Sequence, residues 1–561
     1  MRTSARILAL GTAITSAALI TSAAAGSSAL AARKTGTKRT EVAHVLLISI
    51  DGLHQYDVQQ WIREHPQSNL GALASAGTQY ADASTSRPSD SFPGLLSEVT
   101  GGTPKTTGVF YDDSYSRVLY APGSNCTGSV GTETQYAENI DIGATTLTRP
   151  ILGGSIDPTQ LPESLTGGTC VPVYPNDFLK TNTIFGVAHA AGMRTAWSDK
   201  HPAYQIVNGL GTPNAVDDLF TPEINADLIP HSLVDTRGTT ITFPHPNPTG
   251  TGPYFITDYV DNTEAYDQIK VDAVLNQIDG LTSGGAPAPS VPAIYGMNFQ
   301  TVSVAEKDID PSKTCDPQRN DGTPCDPHYV PGGYQPGTLA FTPQLEGGLQ
   351  YVDTAIGSLV TELKNKQLYD STEIILTAKH GQSPINPANL AKIGHAEQTV
   401  LENAGIQIAQ LTDDDVALVW LAHQSDTTAA VKALQDSIAN GNPAHIAQIF
   451  TGKQLAKTFG DPTANDRTPD IIIQPIPGTI YSSSHAKVAE HGGFAPDDTH
   501  VALIVVNGQN GRGAGTQGRV IGAPVDTTQI APTILNALGL DPTQLDAVQA
   551  EHTHPLPGLG R

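Results

Sequence analysis

The clearest hydrophobic pattern is a set of short, nearly unbroken apolar runs that each end on a polar residue. Residues 42–50 read Val-Ala-His-Val-Leu-Leu-Ile-Ser-Ile and stop at Asp51-Gly52. Residues 373–378 stop at Lys379-His380-Gly381, and residues 293–299 stop at Gln300. Residues 501–506 form a fourth run. Such runs predict strands buried on both faces of a parallel sheet. Elsewhere the spacing changes to three and four. Leu345, Leu349, Val352, Ile356, Leu359 and Leu363 mark one face of an amphipathic helix leading into the run before Lys379. Residues 527–538 predict a closing helix. Strands alternating with helices predict an α/β domain with a mostly parallel central sheet.

The ends and inserts divide the chain further. Arg2 and Arg6 precede a stretch of apolar and small residues over 7–25, and Ala29-Leu30-Ala31 offers a small-x-small cleavage site. Residues 1–31 therefore read as a secretion signal. Residues 32–40 predict a flexible basic tail. One domain is expected over 41–545, with inserts at about 112–180, 200–260 and 385–480, and a C-terminal tail over 546–561. The first two inserts are rich in Gly, Pro and Thr and read as loops or lids; the third, with mixed short helical and strand patterns, reads as a cap or subdomain. No second stretch is apolar enough to cross a bilayer, so the expectation is an exported protein without a membrane span once the signal is removed.

Charge and cysteine content narrow the function classes. The 561 residues carry 31 basic and 55 acidic side chains, a formal net charge of −24. That balance argues against a nucleic-acid partner and against an anionic lipid surface. The four cysteines suit an oxidising compartment, and no CxxC pair points to a metal cluster. Of three possible pairings, Cys126–Cys170 and Cys315–Cys325 are the more local.

Open α/β sheets place ligands at the carboxyl ends of their strands. Asp51, Gln300, Lys379 and His380 all fall at such ends. Asp51 can bind a divalent cation or cap a turn. Ser91, in Arg87-Pro88-Ser89-Asp90-Ser91-Phe92-Pro93-Gly94, can be a nucleophile at a helix start, or Ser89 or Ser91 can cap that helix. His491 lies in Glu490-His491-Gly492-Gly493.

In their order, Ile50-Asp51-Gly52, Ser91-Phe92-Pro93 with Thr100-Gly101, Lys379-His380-Gly381 and His491-Gly492 resemble the type I phosphodiesterase/nucleotide pyrophosphatase family of the alkaline phosphatase superfamily. The resemblance spans about residues 42–540. It implies an alkaline-phosphatase-like α/β fold and hydrolysis of small-molecule phosphoesters. It also implies Ser91 as nucleophile, two divalent metal ions, usually zinc, and Asp51, His380 and His491 as metal ligands.

Three positions depart from the family pattern. Lys379 stands where the family has Asp. The family's Asp-x-x-x-His pair is missing, with Ser303 and Lys307 in its register; Lys307 and Gln300 are read instead as substrate contacts. Gly94 stands where Asn is common. A lysine next to a zinc site repels the ion. Lys379 is therefore read as a catalytic cation that stands in for one metal. The alternative is a ligand-binding protein on a disabled phosphodiesterase scaffold. A sulfatase is excluded, because neither Ser91 nor Ser86 is followed by Pro at +2 together with Arg at +4.

Overall fold

The computed structural model describes residues 42–135, 140, 151–152, 155–250, 255–309, 331–484, 486–507 and 518–559. The signal and tail expected over 1–40, and Cys315 and Cys325, lie outside the described residues. An eight-stranded sheet organises the unit Thr40–Arg561. In chain order its strands are β1 (His44–Ile50), β2 (Thr78–Tyr80), β3 (Ala196–Ser198), β4 (Asp218–Phe220), β5 (Ile294–Phe299), β6 (Thr372–Thr377), β7 (Ile504–Asn507) and β8 (Arg519–Ile521). Across the sheet they run β8-β2-β7-β6-β1-β5-β3-β4.

The apolar runs form the centre of this sheet. β1 pairs in parallel with β5 on one side and β6 on the other. Its residues alternate between two cores, as strand geometry requires. Val45 and Leu47 face the core containing Leu95, Leu96 and Val99 of helix α1 (Ser91–Thr100). Leu46, Ile48 and Ile50 face the core built by helices α2 (Val260–Ile278), α3 (Thr301–Lys307) and α4 (Pro343–Asn365). The predicted face of α4 is buried from Leu345 to Leu363. Residues 527–529 form a 3-10 turn before the closing helix α5 (Ile530–Ala537). The fourth run gives β7, which pairs antiparallel with β6. Burial on both faces makes a run apolar but does not encode its direction.

The insert over 385–480 holds its own four-stranded sheet, built of Ile408–Asp413, Ala417–Leu421, Ile471–Pro475 and Ile446–Phe450 in that order. Leu401, Val419, Leu434 and Ile473 give it a separate core. Cys126 and Cys170 form a disulfide, as their local placement predicts. No helix among the described residues is long and apolar enough to cross a membrane.

Candidate active site

The carboxyl ends of four adjacent strands converge. β1 delivers Asp51, β5 delivers Gln300, β6 delivers Lys379 and His380, and β3 delivers Asp199 and Lys200. Ser91 opens α1 from below this rim. Its helix is capped by Asp90, whose Oδ1 accepts from the Phe92 amide at 3.0 Å. The capping role considered for Ser89 or Ser91 thus belongs to Asp90, and the Ser91 hydroxyl is free for other contacts.

Ser91 Oγ meets three groups. Lys200 Nζ donates to it at 3.0 Å. Asp51 Oδ2 and His380 Nε2 each lie 3.2 Å away. Lys200 Nζ also donates to Asp51 Oδ2 and to Gln300 Oε1, both at 2.9 Å. All three ammonium hydrogens are thereby directed. The Gln300 backbone is fixed in turn by Asp267 of α2, whose Oδ2 accepts from the Gln300 and Thr301 amides at 2.9 Å each.

Lys379 takes a different place from Lys200. Its Nζ donates to both oxygens of Asp199, at 3.0 and 3.2 Å, and lies 4.0 Å from Asp51 Oδ1. It also sits 4.2 Å above the Tyr204 ring, which stacks on Phe92 at 4.5 Å. Lys307, by contrast, is 4.0 Å from Glu490 Oε2.

The charges set the protonation of the site. Burial favours the neutral form of Asp51, but Lys200 and Lys379, with help from His380, hold its carboxyl well below the usual range. Burial pushes His380 below its ordinary value, against the opposing pull of Asp51. His380 Nδ1 lies 3.0 Å from the Gly381 carbonyl oxygen, which can only accept. The neutral ring therefore carries its proton on Nδ1 and turns the Nε2 lone pair toward Ser91. His491 lies tilted against His380, with ring centroids 4.2 Å apart. Burial first, and then His380 and the nearby lysines, keep His491 well below its ordinary value. Its Nδ1 faces Asp90 Oδ2 across 3.8 Å.

The donor set does not fit a divalent ion between Asp51 and Ser91. An ion bound to both would sit about 2.0–2.2 Å from each oxygen, in the gap that the Lys200 ammonium fills. The other oxygen of Asp51 faces Lys379. A dication 3 Å from an ammonium is repelled by on the order of 10 kcal/mol at an effective dielectric of about 20. Among the described residues, the buried group that gathers its donor atoms within 4.8 Å is instead His54, Asp57 and Glu306. The Tyr334 hydroxyl lies in their midst, 2.7 Å from Asp57 Oδ1, 3.1 Å from Glu306 Oε1 and 2.9 Å from His54 Nδ1.

That second cluster holds the loop that carries His380. His54 Nε2 lies 2.9 Å from both the amide nitrogen and the carbonyl oxygen of Gln382. It thereby ties the turn after Asp51 to the segment carrying His380. His54 is buried, yet Glu306 and Asp57 raise it well above its ordinary value. Burial raises Glu306 to about 8. Both groups bind protons more tightly folded than unfolded, so their stabilisation is complete below the unfolded values and fades as pH rises through the folded ones. The expected result is a melting temperature that falls from pH 6 to pH 9. Glu306→Gln removes one of these titrations. Each proton accounts for a slope of up to about 1.4 kcal/mol per pH unit. Calorimetry of the two proteins across that range checks it; an identical slope in the variant contradicts it.

Sequence reasoning missed Lys200, Asp199 and Asp90. The one available signal for the first two was a charged pair directly after a short apolar run, Ala196-Trp197-Ser198.

Comparisons with known proteins agree with this architecture. A family profile described as type I phosphodiesterase / nucleotide pyrophosphatase matches residues 45–494. No curated protein sequence matches the chain. Among solved structures, murine ectonucleotide pyrophosphatase / phosphodiesterase 5 is similar, with a TM-score of 0.51 and 12% identity, covering 89% of this chain and 95% of that one. An inactive variant of the same murine protein, in complex with AMP, matches with the same figures. At that identity the likeness shows the fold.

Proposed function

The chain belongs to the type I phosphodiesterase / nucleotide pyrophosphatase family, and from that premise we propose that it is an exported hydrolase cleaving small-molecule phosphodiesters or related phosphoryl esters through Ser91. The observation that carries the reading is the position of Ser91 Oγ, 3.2 Å from the His380 Nε2 lone pair and 3.0 Å from an ammonium. A hydroxyl between a base and a cation is an activated nucleophile. Export rests on the signal-like N-terminus and is supported by the Cys126–Cys170 disulfide.

The chain's own residues supply each step. Ser91 Oγ attacks phosphorus and passes its proton to His380 Nε2. Asp51 is the weaker base of the two neighbours, because the lysines hold it ionised. The Oγ–P bond forms as the bond to the leaving alkoxide breaks, and that alkoxide takes a proton from solvent. Water then attacks the phosphoseryl ester and releases a proton to solvent, balancing the one taken by the leaving alkoxide. The Oγ–P bond breaks, and His380 returns its proton to Ser91. Asp51 keeps Lys200 and Ser91 in register through Oδ2. Family members use divalent metals; none of these steps is routed through one, since the ammonium fills the gap between Asp51 and Ser91.

The test is steady-state hydrolysis of bis(p-nitrophenyl) phosphate beside p-nitrophenyl phosphate. The reading expects turnover of the diester. Ligand-dependent stabilisation without release of p-nitrophenol from either compound overturns it in favour of a binding protein.

A further inference from the structure

We propose that the Lys200 ammonium takes the place of the nucleophile-activating metal ion, so that phosphoryl transfer in this chain is metal-independent. The inference rests on the reading of Ser91 as nucleophile. Lys200 touches the two groups such an ion would bridge, Asp51 Oδ2 at 2.9 Å and Ser91 Oγ at 3.0 Å. Its third hydrogen is held by Gln300 Oε1, and Gln300 is anchored through Asp267. The cation is therefore fixed before substrate arrives and needs no reorganisation during the reaction.

The chemistry follows from the hydrogen bond to Ser91. In the resting site a cation donates to a neutral hydroxyl. When His380 takes the serine proton, the same donor faces an alkoxide, and the contact gains the attraction of two opposite charges at hydrogen-bond distance. Lys200 stabilises the nucleophile's charge as a bound ion would. Lys379 completes the substitution from the other side. It stands at the position where the family has Asp, and its pairing with Asp199 and approach to Asp51 Oδ1 place a second fixed cation behind the carboxylate. Two ammonium groups and two carboxylates, Asp51 and Asp199, thus form a charge-balanced frame built from the chain alone.

Gln300 acquires a role in this frame. It orients Lys200 and so acts as a positioning residue. Gln300→Leu is expected to lower kcat more than it changes KM, since the ammonium loses one of its three anchors while the substrate's approach is unchanged.

Three measurements on the mature full-length protein test the proposal. First, wild type is dialysed against a strong chelator and its metal content is measured by elemental mass spectrometry. The expected kcat/KM on bis(p-nitrophenyl) phosphate is within about 2-fold of the untreated protein, with well under one transition metal per chain. Loss of activity on chelation, with recovery on adding zinc, overturns the proposal. Second, Lys200→Ala is expected to lose about 10²–10³-fold in kcat, the usual effect of deleting a donor aimed at developing charge. Third, Lys200→Cys treated with bromoethylamine recreates a side-chain ammonium, and it is expected to regain much of the lost rate. A purely structural lysine predicts no such recovery. Activity in Lys200→Ala within 3-fold of wild type, when Ser91→Ala is inactive, overturns the role of Lys200 alone. Absence of hydrolysis by wild type overturns the proposed function together with this inference. The chelation arm stands even if a Lys200 variant fails to fold.

Discussion

Ser91→Ala is expected to lower kcat on bis(p-nitrophenyl) phosphate by roughly 10⁴-fold or more, the scale on which loss of an attacking group acts. The neighbouring hydroxyls do not offer a replacement. Thr85 Oγ1 donates to the Lys379 carbonyl, and Ser89 Oγ accepts from the Gly492 amide. Neither is free to take over the line of attack. The fold should survive the change. Without Oγ, Lys200 still bonds to Asp51 and Gln300, and Asp90 still caps α1 through the Phe92 amide. The melting temperature should therefore stay near that of wild type while turnover disappears. Paired calorimetry and p-nitrophenol release check both halves. A loss smaller than about 10-fold contradicts Ser91 as nucleophile.

Gly94→Ala is expected to damage stability and activity together, against the ordinary rule that Ala improves a helix by about 1 kcal/mol over Gly. A Cβ at this position would lie 2.2 Å from the Lys379 carbonyl oxygen and 2.7 and 2.9 Å from its carbonyl carbon and Cα. These are backbone atoms, so no side-chain rotation relieves the contact. Either the first turn of α1 moves or the segment carrying Lys379 and His380 does. Overpacking of this kind typically costs about 1–3 kcal/mol. The catalytic loss should be larger than that figure suggests, because Ser91 lies on one side of the contact and His380 on the other. A displacement of about 1 Å between reacting groups costs on the order of 10²-fold. Gly94→Asn, which restores the residue common in the family, should behave no better. Thermal melts and kcat/KM for both variants check this; wild-type values for either one contradict the packing account.

The same contact explains what the sequence could and could not disclose. Gly94 was visible as a departure from the family pattern. Its reason became visible only once α1 was laid against the residues after β6, nearly 300 positions later. The central strands were legible because each is a continuous apolar run with a polar stop, and the stops Asp51, Gln300, Lys379 and His380 lie together in the fold. Asp51, Gln300, Lys379 and His380 were found that way, and Ser91, read from a helix start, meets Asp51 and His380 in space. Direction was not legible, and β7 runs against its neighbour. Lys200 was hidden for a different reason. It follows a strand of three residues, too short to show a period, inside a stretch rich in Gly, Pro and Asn. The electrostatic direction of the Lys379 substitution was nonetheless readable: a fixed positive charge where a metal ligand was expected. The structure adds that Lys200, from another strand, is the ammonium in contact with Ser91. The cluster of His54, Asp57, Glu306 and Tyr334 was out of reach of any local pattern, because its members come from three separate elements and meet only in the folded core.

The proposed replacement of a metal ion by the two lysines has a physical consequence. A bound ion can be lost or exchanged; a tethered ammonium cannot. The cost is a weaker field, since an ammonium carries half the charge of a zinc ion. The arrangement offsets this by burial, where a given charge acts through a lower effective dielectric. On the metal-independent proposal His380 holds no ion, and its Nε2 lone pair is open to the Ser91 proton.

The measurement that bears most directly on the central claim, attack on phosphorus by Ser91, is the stereochemical course of hydrolysis. A phosphorothioate diester of single configuration, with p-nitrophenol as leaving group, is hydrolysed by the wild-type protein in ¹⁸O-water and the configuration of the product is determined. Attack by Ser91 followed by attack of water gives two in-line displacements, and the account predicts net retention. Net inversion would mean that water strikes phosphorus directly, and it would contradict the role of Ser91 set out above.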